Sequence, residues 1–227
     1  MGTRKVKRRR FNFLKFLIFL LFLYLIVFGI IRLLSLPIKN IIILGNNRIT
    51  ETEIINTSKI GGYPSLFKTM SFNIEKRLKT LPLVKEVKVK KRLGYKLIIE
   101  VEEYKIIYRS RSDNKYTLEN KESIELSNNI DGVPVLINYT PEDKNDKLIL
   151  KMSLIDENII SKISEIEYSP TSYDDERFIL YMKDKNMVYI TLNKIKELNK
   201  YISVVKKLDG HTGILYLDSG NYFEIKD

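Results

Sequence analysis

The chain combines one long apolar run with shorter segments in which apolar and polar positions follow a regular period. Residues 16–31 (FLIFLLFLYLIVFGII) are sixteen consecutive uncharged residues, and no face of the run is polar. A helix of this length spans about 24 Å, against a hydrocarbon core of roughly 30 Å. Because residues 33–36 prolong the apolar run, we predict a transmembrane helix over residues 16–36.

The next segment has the pattern of a strand followed by two short helices. The β-rich run 38–44 ends at a Gly-Asn-Asn turn. Thr50 and Glu53 then fit a capping box, which predicts a helix that runs to about Ser58 and ends at the two glycines that follow. A second helix with one apolar face is predicted over residues 73–81, and a proline stops it.

Two strands with period-two alternation complete this module. Their apolar residues share one face only if the two residues that lie opposite each other have position numbers whose sum is even. A loop at residues 93–95 meets this condition, and it pairs Val87 with Val101 and Lys88 with Glu100. The predicted order of elements is therefore β-α-α-β-β.

The order and spacing of these residues resemble a POTRA domain, and more narrowly the POTRA domain of the FtsQ/DivIB cell-division family. The matching motifs are Ile43-x-Gly45, Thr50-x-x-x-Ile54, Leu78-x-x-Leu81-Pro82-x-Val84-x-x-Val87-x-Val89 and Leu97-x-Ile99-x-Val101-x-Glu103. The chain has Leu93-Gly94 where the family usually has proline, and Tyr104 where arginine often follows the glutamate. The resemblance implies a POTRA domain directly after the membrane anchor.

From Tyr108 onward the chain resembles the β-domain of the same family. Residues 116–122 (YTLENKE) are similar to a strand–turn–strand motif of that domain, and residues 131–136 (DGVPVL) are similar to its Leu-Pro-Val turn. Apolar stripes and turn signals predict the remaining elements. These are helices at 148–163 and at 195–205, the second capped by Asn193, a hairpin around 184–186, and final strands at 214–217 and 222–225.

The resemblance covers nearly the whole chain in the order of the family. It implies an α+β fold with a single transmembrane helix, a β-α-α-β-β POTRA domain and a mixed-sheet β-domain with two helices. The expected segments are a basic tail (1–15), the transmembrane helix (16–36), the POTRA domain (37–107) and the β-domain (108–227).

The net charge of +11 is concentrated at the N-terminus. Eight of these charges lie in the first 32 residues, which contain no acid, so the modules beyond them are not a basic nucleic-acid-binding surface. A cleaved signal peptide would need small residues at its end, and the chain contains no alanine, so we expect the helix to remain as an anchor. The positive-inside rule then predicts a cytoplasmic tail and an extracytoplasmic chain from Pro37 onward. The resemblance implies a cell-membrane protein enriched at the division septum.

No pattern of residues predicts catalysis, a metal site or a cofactor. The chain has no cysteine and one histidine, His211, which excludes thiolate and multi-histidine metal sites and cysteine nucleophiles. Glu100 and Glu102 face lysines across the predicted hairpin, which favours ion pairs over an acid–base pair. The acidic run 174–176 lacks the spaced ligands of a calcium loop. We therefore expect a binding protein and not an enzyme.

The resemblance implies partners of the FtsB/DivIC and FtsL types, which are bitopic coiled-coil division proteins, and indirectly the septal peptidoglycan synthases. In the family, the strand before a D-S-G-like turn near the C-terminus pairs with the partner. The predicted partner-binding residues around the corresponding turn are Tyr216, Leu217, Ser219, Gly220, Tyr222 and Phe223. Independently of the family, a final strand has no later strand to cover it, so its backbone can extend the sheet into another chain.

Three alternatives remain open at this point. Leu217 and Phe223 would be core residues and Tyr216 an ordinary surface tyrosine if the turn binds nothing. A POTRA-type chaperone that presents substrates to an export system would instead have several POTRA repeats and a barrel of alternating strands. A membrane-anchored hydrolase would have convergent polar groups in a pocket, and the sequence offers no such set.

Overall fold

A long apolar helix begins the part of the chain that the structure describes. The computed structural model describes residues 12–126 and 129–226, so most of the predicted basic tail lies outside the described residues. Helix α1 (Phe13–Leu34) has 22 residues, which corresponds to about 33 Å and is enough to cross the hydrocarbon core. Among the described residues it is the one helix that is long and apolar enough to cross a membrane, with a mean hydropathy of 2.8. The helix therefore fits a single-pass membrane anchor, as predicted.

The first compact unit ends at Glu103 and, after α1, consists of a three-stranded sheet with two helices. Its elements are β1 (Asn40–Leu44), α2 (Glu51–Ser58), α3 (Ser71–Leu78), β2 (Val84–Arg92) and β3 (Lys96–Glu103). The strand order is β1-β3-β2, with β1 parallel and β2 antiparallel to the central β3. Helix α3 packs on β2, and α2 packs on α3. The predicted β-α-α-β-β order is confirmed.

The register of the β2–β3 hairpin is also the predicted one. Val87 lies opposite Val101 and Lys88 lies opposite Glu100, and the connecting loop is 93–95. The apolar residues on the predicted core face are buried while the lysines and glutamates between them lie on the opposite face with Ile98, since alternate side chains point to opposite faces. The buried residues of the two strands are Val84, Val87, Val89, Leu97, Ile99 and Val101.

Two side chains fix the start of α2. The Thr50 hydroxyl accepts a hydrogen bond of 3.2 Å from the Glu53 backbone N–H, as the capping box predicts. The carboxylate of Glu103, at the end of β3, accepts bonds of 2.8 to 3.0 Å from the N–H groups of residues 47–49. The glutamate of the β3 motif therefore holds the turn that leads into α2. The helix ends at Ser58, as predicted, and the residue that stops it is Lys59, whose φ of 58° is left-handed, and not the glycines that follow.

The geometry at Gly45 explains why the motif at the end of β1 contains a glycine. Its φ is +81°, and a Cβ atom at this position would lie 2.2 Å from the carbonyl oxygen of Val101. Only glycine permits both the conformation and the close approach. The Ile43-x-Gly45 motif thus marks a backbone contact between the turn after β1 and strand β3.

The second compact unit starts at Tyr104 and is built on one large mixed sheet. Its elements are β4 (Ile106–Ser110), β5 (Tyr116–Leu118), β6 (Ser123–Ile124), β7 (Val135–Leu136), α4 (Glu142–Met152), α5 (Glu157–Ile160), β8 (Ile163–Tyr168), β9 (Arg177–Met182), β10 (Met187–Thr191), a 3₁₀ helix (Leu192–Lys200), α6 (Tyr201–Val205), β11 (Gly213–Tyr216) and β12 (Tyr222–Ile225). The nine strands have the order β12-β11-β10-β9-β8-β7-β4-β5-β6. The α+β fold class and the hairpin around residues 184–186 are as predicted.

The helices of the second unit differ in detail from the prediction. The apolar stripe over 148–163 forms α4 and α5, and Ile163 already belongs to β8. The stripe over 195–205 forms the 3₁₀ helix and α6, and no side chain caps its start, so Asn193 is not a cap. Both stripes are nevertheless buried. They form one core with the sheet, in which Leu148, Ile159, Ile195, Leu198, Leu180 and Val188 take part.

The boundary between the two units falls between Glu103 and Tyr104, four residues before the expected limit at 107. Ile106 pairs with Leu118 in the second sheet, and Lys105 accepts a backbone bond of 2.9 Å from Glu119. Residues 104–107 therefore belong to the second sheet because their backbone hydrogen bonds are made there.

Candidate functional site

Strand β12 is an edge of the nine-stranded sheet, and one side of its backbone faces away from that sheet. The Lys226 N–H donates a bond of 2.8 Å to the carbonyl of Thr212, in the segment that leads into β11. Backbone groups of an antiparallel strand alternate in direction, so those of Phe223 and Ile225 point outward. In the described ranges 12–126 and 129–226, no strand lies beyond β12. A strand from another chain can therefore be added here.

The predicted partner-binding residues are divided between two strands and the turn that joins them. Tyr216 ends β11, which lies between β10 and β12 and is paired on both sides. Ser219 and Gly220 lie in the turn, and Tyr222 and Phe223 begin the edge strand. The strand before the D-S-G turn is therefore an interior strand, and the edge is the strand that follows the turn.

The side chains of these residues lie in different environments. Leu217 is buried in the core, as the alternative interpretation of this residue expected, and Phe223 packs partly against the same core. Tyr222 is exposed, and Ser219 is exposed in the turn. Only the side chains outside the core are available to a partner in the folded unit.

A row of three tyrosines crosses the sheet at this edge. The ring of Tyr216 is stacked on Tyr222, with centroids 4.7 Å apart, and it meets Tyr189 edge-on at 5.2 Å. The guanidinium of Arg177 lies 4.5 Å from the centre of the Tyr189 ring. The Tyr216 hydroxyl donates a 2.9 Å hydrogen bond to the carboxylate of Glu224, which raises the pKa of Tyr216 to about 12. The row joins β10, β11 and β12 through their side chains as well as their backbones.

The turn between β11 and β12 is held by two basic residues from elsewhere in the unit. The Arg177 Nε donates a 2.7 Å bond to the carboxylate of Asp218, and both side chains are largely buried. The N–H and hydroxyl of Ser219 donate to the same carboxylate. Partial burial raises the pKa of Asp218, but the bonds from Arg177 and Ser219 outweigh it and leave the pKa below its usual value. The Lys194 ammonium donates a 3.2 Å bond to the carbonyl of Gly220.

A cleft of about 260 Å³ adjoins the edge strand. The residues that line it are Val204, Leu215, Leu217, Phe223, Glu197, Lys200, Asn221 and Tyr222. Added strands gain affinity from main-chain hydrogen bonds and specificity from pockets for alternate side chains. The β12 edge and this cleft together supply both requirements. We call them the edge-strand site.

Sequence reasoning missed several residues of the edge-strand site. Ile225 lies inside the predicted final strand, but the outward direction of its backbone depends on the register with β11. Arg177 and Lys194 have no local signal, because they reach the turn from 41 and 26 positions away in the chain. Contacts of this kind come only from the tertiary fold.

The other acidic residues considered above are engaged in ion pairs. Lys90 binds Glu100 at 2.6 Å and Lys85 binds Glu102 at 2.9 Å, so the expected ion pairing is observed. Lys144 binds Asp175 at 2.6 Å, which lowers the pKa of Asp175. No group of three or more histidine, cysteine, aspartate and glutamate residues in the described part of the chain is placed to hold a metal ion. The edge-strand site is therefore the strongest candidate.

Comparison with known proteins matches the first unit to a family model and most of the chain to cell-division proteins. Residues 36–104 match the family model of a POTRA domain, FtsQ-type. The cell division protein DivIB of Bacillus subtilis (strain 168) is 31% identical over 218 residues, which cover 92% of this chain and 82% of that protein. DivIB of Bacillus cytotoxicus is 29% identical over 196 residues, covering 84% of this chain and 77% of that protein.

A solved structure is also similar. It is the major extracytoplasmic domain of the trans isomer of the cell division protein DivIB from Geobacillus stearothermophilus, with a TM-score of 0.40 and 23% identity. The match covers 48% of this chain and 96% of that domain.

Proposed function

The chain belongs to the DivIB family of cell-division proteins, and we propose that it is a non-catalytic, single-pass membrane scaffold of the division machinery. In this proposal α1 anchors the chain, the basic tail is cytoplasmic, and both folded units are extracytoplasmic at the septum. The second unit binds bitopic coiled-coil proteins of the FtsB/DivIC and FtsL types. Their complex stabilises or regulates the enzymes that make septal peptidoglycan.

The observation that carries the proposal is the outward-facing backbone of β12 beside an apolar cleft. A segment from a bitopic partner would add to the sheet as a strand, bonded to Phe223 and Ile225. One of its side chains would enter the cleft beside Val204 and Leu215. Tyr222, exposed next to the edge, is the type of residue that often carries interface energy.

The charge distribution supports the orientation in this proposal. The basic residues that precede α1 favour a cytoplasmic N-terminus. Such a tail also attracts anionic lipids of the cytoplasmic leaflet, at about 1 kcal/mol for each basic residue near the surface. The folded units then lie on the side of the membrane where peptidoglycan is made.

The test replaces one outward-facing backbone N–H. Ile225→Pro removes a donor that faces away from β11, and proline is tolerated at such edge positions. Ile225→Val is the matched control because it keeps the donor and a similar side chain. Binding of a purified FtsB/DivIC-type protein to the full chain in nanodiscs is measured for both variants.

We expect Ile225→Pro to lower the affinity at least about tenfold, or about 1.4 kcal/mol, and Ile225→Val to leave it unchanged. Hydrogen exchange of β10 and β11 shows whether the sheet stays intact. Equal affinities of the two variants, with the sheet intact in both, would refute the edge-strand site.

A further inference from the structure

The loop between α2 and α3 is bonded to the end of the membrane helix. The Ile38 N–H donates a 3.0 Å bond to the carbonyl of Pro64, and the Leu66 N–H donates a 3.3 Å bond to the carbonyl of Leu36. The Ser65 hydroxyl donates to the carbonyl of Leu34, the last residue of α1. Because α1 is about as long as the hydrocarbon core is thick, its end and the bonded loop lie at the membrane surface.

The tip of the β2–β3 hairpin lies at the same end of the first unit. The backbone N–H of Lys39 donates a 2.8 Å bond to the carbonyl of Tyr95. The ring of Phe67 meets the ring of Tyr95 edge-on, with centroids 6.4 Å apart. The α2–α3 loop and the hairpin tip are therefore in contact, and both adjoin the segment that emerges from the membrane.

These two segments expose large apolar side chains. Leu93 is 98% exposed at the hairpin tip, and in the loop Phe67 is 49% and Met70 65% exposed. Tyr63, also in the loop, is 53% exposed. Exposed apolar residues that are grouped in this way mark an interaction surface.

The charged residues within these segments are all basic, and Lys90 at the edge of the hairpin tip is paired with Glu100. Residues 36–40, 61–70 and 90–96 contain no aspartate or glutamate. Lys39, Lys68 and Arg92 lie in these segments, and the Lys39 ammonium is 5.7 Å from the centre of the Tyr95 ring. A surface that combines exposed apolar and basic groups is suited to the interface of an anionic membrane, where apolar side chains enter the headgroup region and cations contact phosphates.

We propose that Leu93, Phe67, Met70 and Tyr63, with the adjacent basic residues, form a membrane-contact patch that rests on the leaflet in which α1 ends. The occupant of the patch is the lipid surface and not a protein, because hydrogen bonds hold the patch against the end of the membrane span. The contact fixes the orientation of the first unit relative to the bilayer. It rests on the proposed anchoring by α1 but is independent of the edge-strand site.

The test takes advantage of the absence of cysteine in the chain. A single environment-sensitive fluorophore is attached at Leu93→Cys, and a matched control carries it at Asn47→Cys. Asn47 is exposed, and its N–H is bonded to Glu103 at the far end of β3. The eight residues of β3 separate the two positions by about 23 Å along the strand.

The full-length variants are reconstituted into vesicles of equal parts phosphatidylethanolamine and phosphatidylglycerol. Doxyl-labelled lipid quenches fluorophores at the membrane, and aqueous iodide quenches those in water. We expect the label at position 93 to be blue-shifted, quenched by the lipid and protected from iodide, and the label at 47 to behave in the opposite way. Replacement of phosphatidylglycerol by phosphatidylcholine should reduce the lipid quenching at position 93.

Three results would overturn the proposal. A label at position 93 that iodide quenches as strongly as the label at 47 would place the tip in water. Protection from both quenchers would show that protein covers the patch. Loss of the wild-type chain from vesicles in an alkaline wash would refute anchoring by α1, and the contact with it, while leaving the edge-strand site to its own test.

Discussion

Strand β2 in the first unit and strand β12 in the second are both sheet edges, to which a strand of another chain could be added. They differ in the charges that they carry. On β2 and its neighbour β3, lysines and glutamates form ion pairs along the exposed face, such as Lys90 with Glu100 and Lys85 with Glu102. In β12 the one charged residue is Glu224, and its carboxylate is occupied by the Tyr216 hydroxyl. Charged edges resist the addition of further strands, whereas uncharged edges permit it.

The comparison shows that two edge strands of one chain can differ in how readily they would accept a further strand. The two edges differ in two respects. On β2 the Val89 N–H donates a 2.8 Å bond to the Glu75 carboxylate of α3, and the exposed face of the strand is charged. The exposed ion pairs of β2 contribute little to stability, which suggests that their value lies in preventing association. The sparse charge on β12 is consistent with the proposed edge-strand site.

The largest effect is expected from a change in the core beneath the charged hairpin. Ile99 is fully buried in the first unit. Ile99→Ala should lower the free energy of unfolding by about 2–5 kcal/mol, which is comparable to the whole stability of a small domain. Hydrogen exchange of the full chain, measured separately for peptides of each unit, should show lost protection in β2 and β3.

Lys88→Ala is the matched control for this prediction. Lys88 lies on the solvent face of the same hairpin and pairs with Glu86 at 3.0 Å. Its replacement should change the stability by less than about 0.5 kcal/mol. Equal protection of the hairpin in the two variants would mean that the two faces have been assigned the wrong way round.

The second prediction separates β12 from its sheet without altering its sequence. Gly213 in β11 is so close to β12 that an added Cβ would lie 2.0 Å from the carbonyl oxygen of Glu224. Gly213→Ala should therefore displace β12, at a cost of about 1–3 kcal/mol. Protection of residues 222–226 and affinity for an FtsB/DivIC-type protein should fall together.

Gly62→Ala serves as the control in the first unit, because nothing lies within 4 Å of the added Cβ. It should leave β12 and partner binding unchanged. Retained affinity in Gly213→Ala, despite lost protection of β12, would mean that the open edge of the comparison is not the binding surface.

The elements that the sequence predicted well are those with strong local signals. Alternation fixed the β2–β3 register because a shift of one residue would have exposed Val87 and Ile99. The capping box located the start of α2, and a run of uncharged residues located α1. These signals depend on residues that are close in the chain.

The errors arose where a tertiary contact overrides the local signal. The stripe over 148–163 has helical spacing throughout, but Ile163 pairs with Met182 in the sheet. At the edge-strand site, Arg177 and Lys194 come from distant elements, and the position of β11 between two strands follows from its parallel pairing with β10.

The smallest effect concerns the turn that holds the open edge in place. The Arg177 guanidinium and Ser219 hold the pKa of Asp218 below its usual value, which is about 3.9 in an unfolded chain. The stabilisation from this carboxylate is therefore fully present above about pH 4 and is lost as the pH falls through the lower pKa of the folded state. The carboxyl ¹³C shift of Asp218 should titrate below the normal range, and the protection factors of β12 should fall over the same pH interval.

Asp218→Asn should remove this pH dependence and slightly weaken the protection of β12 at neutral pH, since an amide can still accept a bond from Arg177 but carries no charge. The β2–β3 hairpin supplies the internal reference. The exposed pairs of that hairpin should give no comparable acid-dependent change in its protection, because exposed ion pairs are screened by solvent and worth little. If β12 and the hairpin lose protection in parallel as the pH falls, or if Asp218→Asn keeps the full pH dependence of β12, then the turn does not control the open edge. The distinction between the two edges would then rest on their outward-facing residues alone.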